Sequence, residues 1–378
     1  MATYTKTLKL KVKPEAYAWL NEAAREVNTV WNWAAETSTK AATRTDIKRK
    51  WMSGFDLCNL STGGAEYFER IKSQTIQRVC CEYAAKRQQF RKLKLRFRAS
   101  GGSKRALGWI PFKSSCIRKR GKALRFCGKA FRVFDSDKLE GVKWKQGNFA
   151  QDAVGDWFLC LPVEVETTQD VAPKEAVGVD LGLKAIATTS DGDVLEAGRW
   201  TYRYADKLAM AQRRGHKKQA KRIHRKVARC RADALHKFSR KLVNEYQIIV
   251  IGNVSSSKLA KTKMAKSVMD SGWGMLKAQL ISKGQQAGRS VEVVDEKYTS
   301  ITCSSCGSLS GPRGVNGLSV RAWICECGAS HDRDVNAALN IKLRGRHAPP
   351  SAGTGSGADA CVEHAKQPSH GCRIQINL

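Results

Sequence analysis

Two sets of residues in this chain are spaced for chemistry. The first are carboxylates. Asp180 ends the apolar run "AVGVD" and precedes "LGLK", so a strand end there aims its side chain into a glycine-bounded gap. Asp332 and Asp334 stand in "SHDRDVNAALNIK", just ahead of a helix whose apolar residues (Val335, Ala338, Leu339, Ile341) recur with helical period. A lone aspartate at such a place is commonly a helix cap or turn former, and Asp332 suits that role. Carboxylates converging from separate elements suit something else: phosphodiester hydrolysis around two metal ions roughly 4 Å apart. Mg²⁺ fits such a site because it binds through a few carboxylates and completes its shell with water and phosphate. The second set are cysteines. Cys303 and Cys306 form a C-x₂-C pair, and Cys325 and Cys327 follow as C-x-C. Four thiolates can close a tetrahedron around one Zn²⁺, although ribbons usually use two C-x₂-C knuckles and the tight second turn strains the geometry. Buried cysteines without metal are the alternative. A structural zinc here, lying between a strand and Asp334, would order that acid.

The elements that must hold these residues can be read from hydrophobic periodicity. "AVGVDLG" and "IIVIGNV" are short continuous apolar runs, as expected of strands buried on both faces. "AIATTSDGDVLEAG" reads as a hairpin turning at Asp-Gly, and "SVEVVDEKYTS" as a further strand. Helical segments fall at about 203–244 and 268–287. This order of strand, hairpin, helix, strand, helix, strand and helix is that of an α/β RNase H-like fold. Ahead of it, residues 4–12 alternate as a half-buried strand. Helical patterns follow over 14–42, with Pro14 in the first turn, and over about 66–97. Residues 108–134 interleave aromatic and basic residues with glycines at hairpin turns, and 155–167 reads as one more strand. The piece from 346 to 378 is rich in Gly, Pro and Ser without period and reads as disordered. Its Cys361, His364, His370 and Cys372 are more simply part of an unfolded tail than a metal site.

Charge points to the partner. The chain has 378 residues, with 67 Lys and Arg against 34 Asp and Glu, a formal net charge of +33. That excess implies a partner made of phosphates, not merely a soluble surface. It is densest in "RRGHKKQAKRIHRKVARCR", where Arg213, Arg214, Lys217, Lys218, Lys221, Arg222, Arg225, Lys226 and Arg229 are candidate nucleic-acid contacts. A solvated helix would mix signs at i and i+4. With basic residues falling all round, this one is expected to lie between two nucleic-acid surfaces. No run approaches the roughly 20 apolar residues of a membrane span. The lysine-studded, alternating first residues do not read as a signal peptide. Thirteen cysteines without an export signal argue for reduced thiols and metal ligation, hence a cytoplasmic protein in the company of the nucleoid.

Taken together, "VGVDLGLKAIATTSDG", the Arg-rich segment ending "LHKFSRKLV", "SGWGMLKAQLISKGQQAGRSVEVVD", "TCSSCG" and "WICECGASHDRDVNAALNI" resemble the TnpB family. These are transposon-associated, RNA-guided DNA endonucleases related to the type V CRISPR effectors. The resemblance is dense from about 176 to 342 and looser over 1–170, where "KSQTIQRVCCEYAAKRQQF" is similar to the lobes that grip guide and DNA. It implies a wedge β-barrel over 1–170 with a helical recognition domain inserted at about 14–100. It further implies a RuvC nuclease domain over 171–345 with a zinc ribbon at about 299–331. Guide RNA and target double-stranded DNA are the implied partners, with two Mg²⁺ and one Zn²⁺ as cofactors.

The family's centre uses Asp, Glu and Asp. The resemblance carries the first over to Asp180 and the last to Asp334, but Gly252 stands where the glutamate is expected. Some family members are similar in lacking it and having a glutamate further along the chain. In an RNase H-like sheet "IIVIGNV" lies between the strand of Asp180 and "SVEVVDEKY", at about 4.8 Å per strand. Glu296, ending the outer strand on the face of Glu292 and Val294, has the reach to cross a position that lacks a side chain. Asp295 is shorter and points to the other face. The expected metal-binding set is therefore Asp180, Glu296 and Asp334, with Glu296 as a mere surface acid the alternative. A nuclease-inactive, guide-dependent DNA-binding repressor is the rival reading of Gly252. A guide-free zinc-ribbon RNA-binding protein is a more distant one.

Overall fold

In the computed structural model the residues described are 3–45, 51–144, 146–167 and 172–346, apart from 315, 316 and 318. The expected disordered tail, with Cys361, His364, His370 and Cys372, lies outside them. The chain divides into two compact units near residue 165.

In the first unit, β1 (Thr3–Lys11) leads into α1 (Tyr17–Thr43), α2 (Gly54–Leu60) and α3 (Ser73–Phe90). The short α2 has no counterpart in the periodicity reading. A capping box starts it: the Ser53 hydroxyl accepts from the Asp56 N–H while the Asp56 carboxylate accepts from the Ser53 N–H. α3 is shorter than the 66–97 expected, because Arg91 turns into the left-handed region at φ 49 and ends it. Six strands follow: β2 (Trp109–Lys113), β3 (Ile117–Arg120), β4 (Ala123–Phe126), β5 (Lys129–Arg132), β6 (Gln146–Gln151) and β7 (Trp157–Glu166). They pair as a four-stranded sheet, β1-β7-β6-β2, and a separate meander, β3-β4-β5. A Val12–Val133 bridge lies between the two sheets. Among the described residues the ladders do not close into one barrel. Phe112, Phe126 and Phe149 fill the core with ring centroids 5.3–5.4 Å apart.

The second unit is built on one five-stranded sheet. Its strands are β8 (Lys174–Asp180), β9 (Ala185–Thr189), β10 (Val194–Glu196), β11 (Tyr246–Gly252) and β12 (Ser290–Val294), in the order β10-β9-β8-β11-β12. β9 runs antiparallel to β8 and β10, whereas β8, β11 and β12 are parallel. The strand of Asp180 thus neighbours "IIVIG", and β12 lies beyond it. Between β10 and β11 come α4 (Trp200–Arg203), α5 (Ala205–Arg213) and α6 (Lys217–Glu245). Between β11 and β12 come α7 (Ser256–Leu259), α8 (Ala265–Ser271) and α9 (Trp273–Ala287). Val177, Val179, Ile249 and Ile251 share a core with Leu235 and Leu242 of α6 and Leu276 and Leu280 of α9.

After β12 come a small ribbon, β13 (Ala322–Ile324) paired antiparallel with β14 (Ser330–Asp332), and then α10 (Arg333–Arg346). The helix includes Arg346, which the sequence reading put at the start of the tail. α10 lies on β8 so closely that a Cβ at Gly178 would stand 1.9 Å from the Ala338 carbonyl oxygen. Only glycine permits that approach. Because side chains alternate along a strand, the α10 side of β8 that Gly178 faces is also the side of Asp180.

Candidate active site

Asp180 is the last residue of β8, opposite Thr188 of β9. Burial, then the charges of Asp334 and Glu296, push its carboxyl up to about 7. Both of the other acids singled out from sequence are therefore near enough to act on Asp180. Asp334 sits in the first turn of α10, but it is not the cap. Asp332 caps, its Oδ1 accepting from the N–H groups of Asp334 at 3.0 Å and Val335 at 2.9 Å. The Asp334 carboxylate is left for other partners. One is Arg321, beside β13, whose Nη1 lies 3.1 Å and 3.3 Å from its two oxygens.

Register decides the middle position. Ile251 pairs with Val179, and Gly252 pairs with Val294 of β12, so Gly252 stands level with Asp180. A Cβ built at Gly252 would meet Glu296 Oε2 at 2.7 Å, Glu296 Cβ at 3.3 Å and Ile341 Cδ1 at 3.4 Å. The Glu296 carboxylate occupies the volume that a side chain at 252 would need. One expectation needs correcting: β12 ends at Val294, so Asp295 and Glu296 lie in the segment after the strand and not in it. Asp295 is exposed and Glu296 half-buried. Burial raises the Glu296 carboxyl, opposed by the nearby Lys277 ammonium. Lys277, which donates to the Val254 carbonyl at 3.2 Å, is itself pushed down by burial. It carries no sequence signature, since nothing local marks a lysine of α9 as a neighbour of Glu296.

Among the described residues, Cys303, Cys306, Cys325 and Cys327 form one cluster whose ligand atoms all lie within 4.8 Å of one another. The Sγ–Sγ distances are 3.8 Å for Cys303–Cys327 and 3.6 Å for Cys306–Cys325. A regular tetrahedron with Zn–S bonds of about 2.3 Å has edges of about 3.8 Å, so the C-x-C turn does not prevent a zinc-sized site. The Cys325 thiol is pushed down to about 6, first by the Ser310 hydroxyl, 3.0 Å from its sulfur, which favours the thiolate that a metal requires. The sequence reading did not single out His331. Its Nε2 is 3.1 Å from Cys303 Sγ, shorter than two atoms sharing one tetrahedral zinc would stand. An N–H···S hydrogen bond to the thiolate fits instead. The Trp323 ring packs against it with centroids 4.5 Å apart.

The cationic segment forms a helical hairpin, α5 turning into α6 through Gly215 at φ +66. Arg213, Arg214, Lys217, Lys218, Lys221, Arg222, Lys226 and Arg229 are exposed, and Arg225 is half-buried. The helix is not basic all round, however, since Ile223 and Val227 are buried. One side is thus taken by the protein, and the segment offers one face to a partner, not two. A cleft of about 480 Å³ between the two helices is lined by Lys207, Arg214, His216, Arg222 and Lys226 with Tyr204. No carboxylate occurs in the sequence between Asp206 and Asp233. No helix among the described residues is long and apolar enough to cross a membrane.

Comparison with known proteins gives matches over the same stretch of chain. Residues 160–263 match a probable transposase family of the OrfB/IS605 type, and residues 273–341 match the Cas12f1-like TNB domain, which spans the cysteine cluster and Asp334. The chain is 36% identical over 220 residues to a putative RNA-guided DNA endonuclease of Streptomyces pristinaespiralis, covering 54% of each chain. It is 30% identical over 221 residues to the putative RNA-guided DNA endonuclease InsQ of Escherichia coli K12, covering 50% of this chain and 54% of that one. A CRISPR-associated endodeoxyribonuclease, Cas12f1 of Sulfoacidibacillus thermotolerans, is 25% identical over 219 residues, 51% of each chain. The chain thus spans about half the length of the relatives it matches. With a probable-transposase match followed by a Cas12f1-like TNB match, and relatives of both kinds, residues 160–341 of the chain are similar to the TnpB/IS605 transposases.

Proposed function

We propose that this protein is an RNA-guided DNA endonuclease whose RuvC-type centre is formed by Asp180, Glu296 and Asp334. The observation that carries the reading is the Glu296 carboxylate lying over Gly252, level with Asp180, in the space a side chain at 252 would fill. Pairing with a guide RNA would supply sequence specificity, and the protein would read a short flanking DNA motif and hold the heteroduplex. In this reading residues 1–170 serve as wedge and recognition module, 171–345 as nuclease domain and about 299–331 as zinc ribbon.

The acids suit divalent cations. Asp180 is held near neutrality by burial and by two other carboxylates, a set of charges that needs a counter-ion to ionise fully. Two Mg²⁺ on Asp180, Glu296 and Asp334 would supply Lewis-acid stabilisation of the phosphate and a water acidic enough to attack it. The chain's own part is to hold the acids. Asp180 is fixed by the sheet, and Asp334 by the capped first turn of α10. Lys277 favours the ionised form of Glu296. The four cysteines would hold one Zn²⁺, keeping the ribbon folded against the start of α10. Incubating purified protein and its guide with a matching target, with and without Mg²⁺, tests the reading. No cleavage with a verified guide and flanking motif would leave the guide-dependent repressor in its place.

Asp180 predicts a pH signature in Mg²⁺-free buffer. Its folded carboxyl, at about 7, lies above the ordinary value of 3.8, so the folded state holds that proton more tightly than the unfolded chain. The associated stability is full below the ordinary value and is lost as pH rises through the folded one. The melting temperature of the wild type relative to Asp180→Asn should therefore fall between about pH 4 and about pH 8. Mg²⁺ should restore more of it at the upper end. A difference that stays flat with pH would remove the like-charge account of this site.

For the hairpin, replacing Arg222, Arg225, Lys226 and Arg229 together with glutamine should weaken guide RNA binding. It should also flatten the dependence of log K on log salt by up to about three units, near 0.7–0.9 for each phosphate no longer neutralised. Unchanged affinity and slope would make this face a solvated one.

A further inference from the structure

Asp334 is not the only residue of α10 turned toward the site. Asn336, Asn340 and Arg344 recur every fourth residue and so share one stripe of the helix. Asn336 and Asn340 are buried, 1% and 8% exposed, where an ordinary helix would place apolar residues. Each of the three holds backbone of the segment 295–304. Asn336 donates to the Thr302 carbonyl at 2.8 Å and accepts from the Ser304 N–H at 2.9 Å. Asn340 donates to the carbonyls of Thr299 at 2.8 Å and Thr302 at 2.7 Å. Thr299 passes the restraint on, its hydroxyl donating to the Glu296 carbonyl at 2.8 Å. Arg344 closes the stripe with a fork: Nη1 donates to the Asp295 carbonyl and Nη2 to the Lys297 carbonyl at 2.7 Å. The guanidinium therefore grips the backbone carbonyls of the two residues that flank Glu296.

These bonds stand where a strand ladder is missing. β12 ends at Val294, so sheet hydrogen bonding cannot fix Glu296 as it fixes Asp180. The N–H of Glu296 makes a long bond, 3.4 Å, to Asn253 Oδ1. We propose that Arg344, with Asn336 and Asn340 behind it, is the positioning residue for Glu296, tying that carboxylate to the same helix that presents Asp334. A glutamate taken from a flexible segment would otherwise lose the preorganisation that a metal site needs. The proposal rests on the reading of Glu296 as a metal ligand.

Arg344→Ala should weaken Mg²⁺ binding, measured by calorimetry on the guide-bound protein without DNA, by about 10-fold or more, and slow cleavage by a similar factor, the usual cost of losing an outer-shell partner. Arg344→Lys, which can bond one carbonyl but cannot span two with a planar fork, should fall between. In a Glu296→Ala background Arg344→Ala should cost nothing further, because the two act on one ligand. Bound zinc and guide affinity should stay at wild-type levels. Wild-type Mg²⁺ affinity in Arg344→Ala would overturn the proposal, as would loss of zinc or guide binding along with cleavage, which would mark a fold-wide role. If Glu296→Ala itself cleaves normally, it is the underlying assignment of Glu296 that fails, and the positioning role falls with it.

Discussion

Glu296→Gln is expected to lower target cleavage by on the order of 10³-fold or more, with guided DNA binding intact, since members of a catalytic unit fail together. The loss should match that of Asp180→Asn, and the double variant should be no worse than either. Asp295→Ala, at an exposed side chain, should cost far less. Gly252→Glu adds a second arm to the test. In the otherwise unaltered protein its Cβ would come within 2.7 Å of Glu296 Oε2, the free end of a flexible side chain, so Glu296 would be pushed aside and the rate should drop. Combined with Glu296→Ala, the remaining contacts of 3.3 Å and 3.4 Å ask for shifts of a few tenths of an ångström. The new carboxylate would then stand beside Asp180 and should recover part of the activity. Cleavage is read on labelled target and binding by gel shift on the same complexes. Full Mg²⁺-dependent cleavage by Glu296→Gln would end the assignment.

Cys325→Ser should take the metal content of the purified protein from about one Zn²⁺ per chain to none and reduce cleavage by at least about tenfold. The physical route runs through the ribbon. Structural zinc contributes about 10–16 kcal/mol to the fold of a small module, and this module has little else: its buried hydrophobic cluster is Cys303, Trp323 and Cys325. His331 joins Cys303 to β14, the next residue, Asp332, caps α10, and Asn336 holds Ser304. Losing the metal therefore frees the start of the helix that presents Asp334, whereas the cationic face of α6 is built elsewhere in the sheet unit. Guide RNA affinity should change little. Elemental analysis and cleavage assays on the same preparation check both halves, and a folded, active wild type without zinc would refute the claim.

The sequence by itself determined whatever is encoded in neighbours along the chain. Apolar runs and an Asp-Gly turn marked the strands of the sheet, because burial on both faces and a two-residue turn are local demands. Cysteine spacing marked all four members of the cluster, because knuckles are short loops. The unbroken run of Lys and Arg marked the hairpin, although not the apolar stripe of Ile223 and Val227 that gives it one open face. That a Glu296 side chain could reach the space over Gly252 was legible from strand spacing and side-chain length, whereas the interest of that position came from the family resemblance. Only the tertiary structure decided that β12 stops short of Glu296, that the Glu296 carboxylate fills the volume above Gly252, and that Arg344 grips the carbonyls of its two neighbours, Asp295 and Lys297. It also chose Arg321 as the partner of Asp334, Lys277 as the neighbour of Glu296 and His331 as the hydrogen-bond partner of Cys303. Those contacts join residues far apart in sequence through sheet register and the seating of α10 on Gly178, and no local pattern of residue types carries that information.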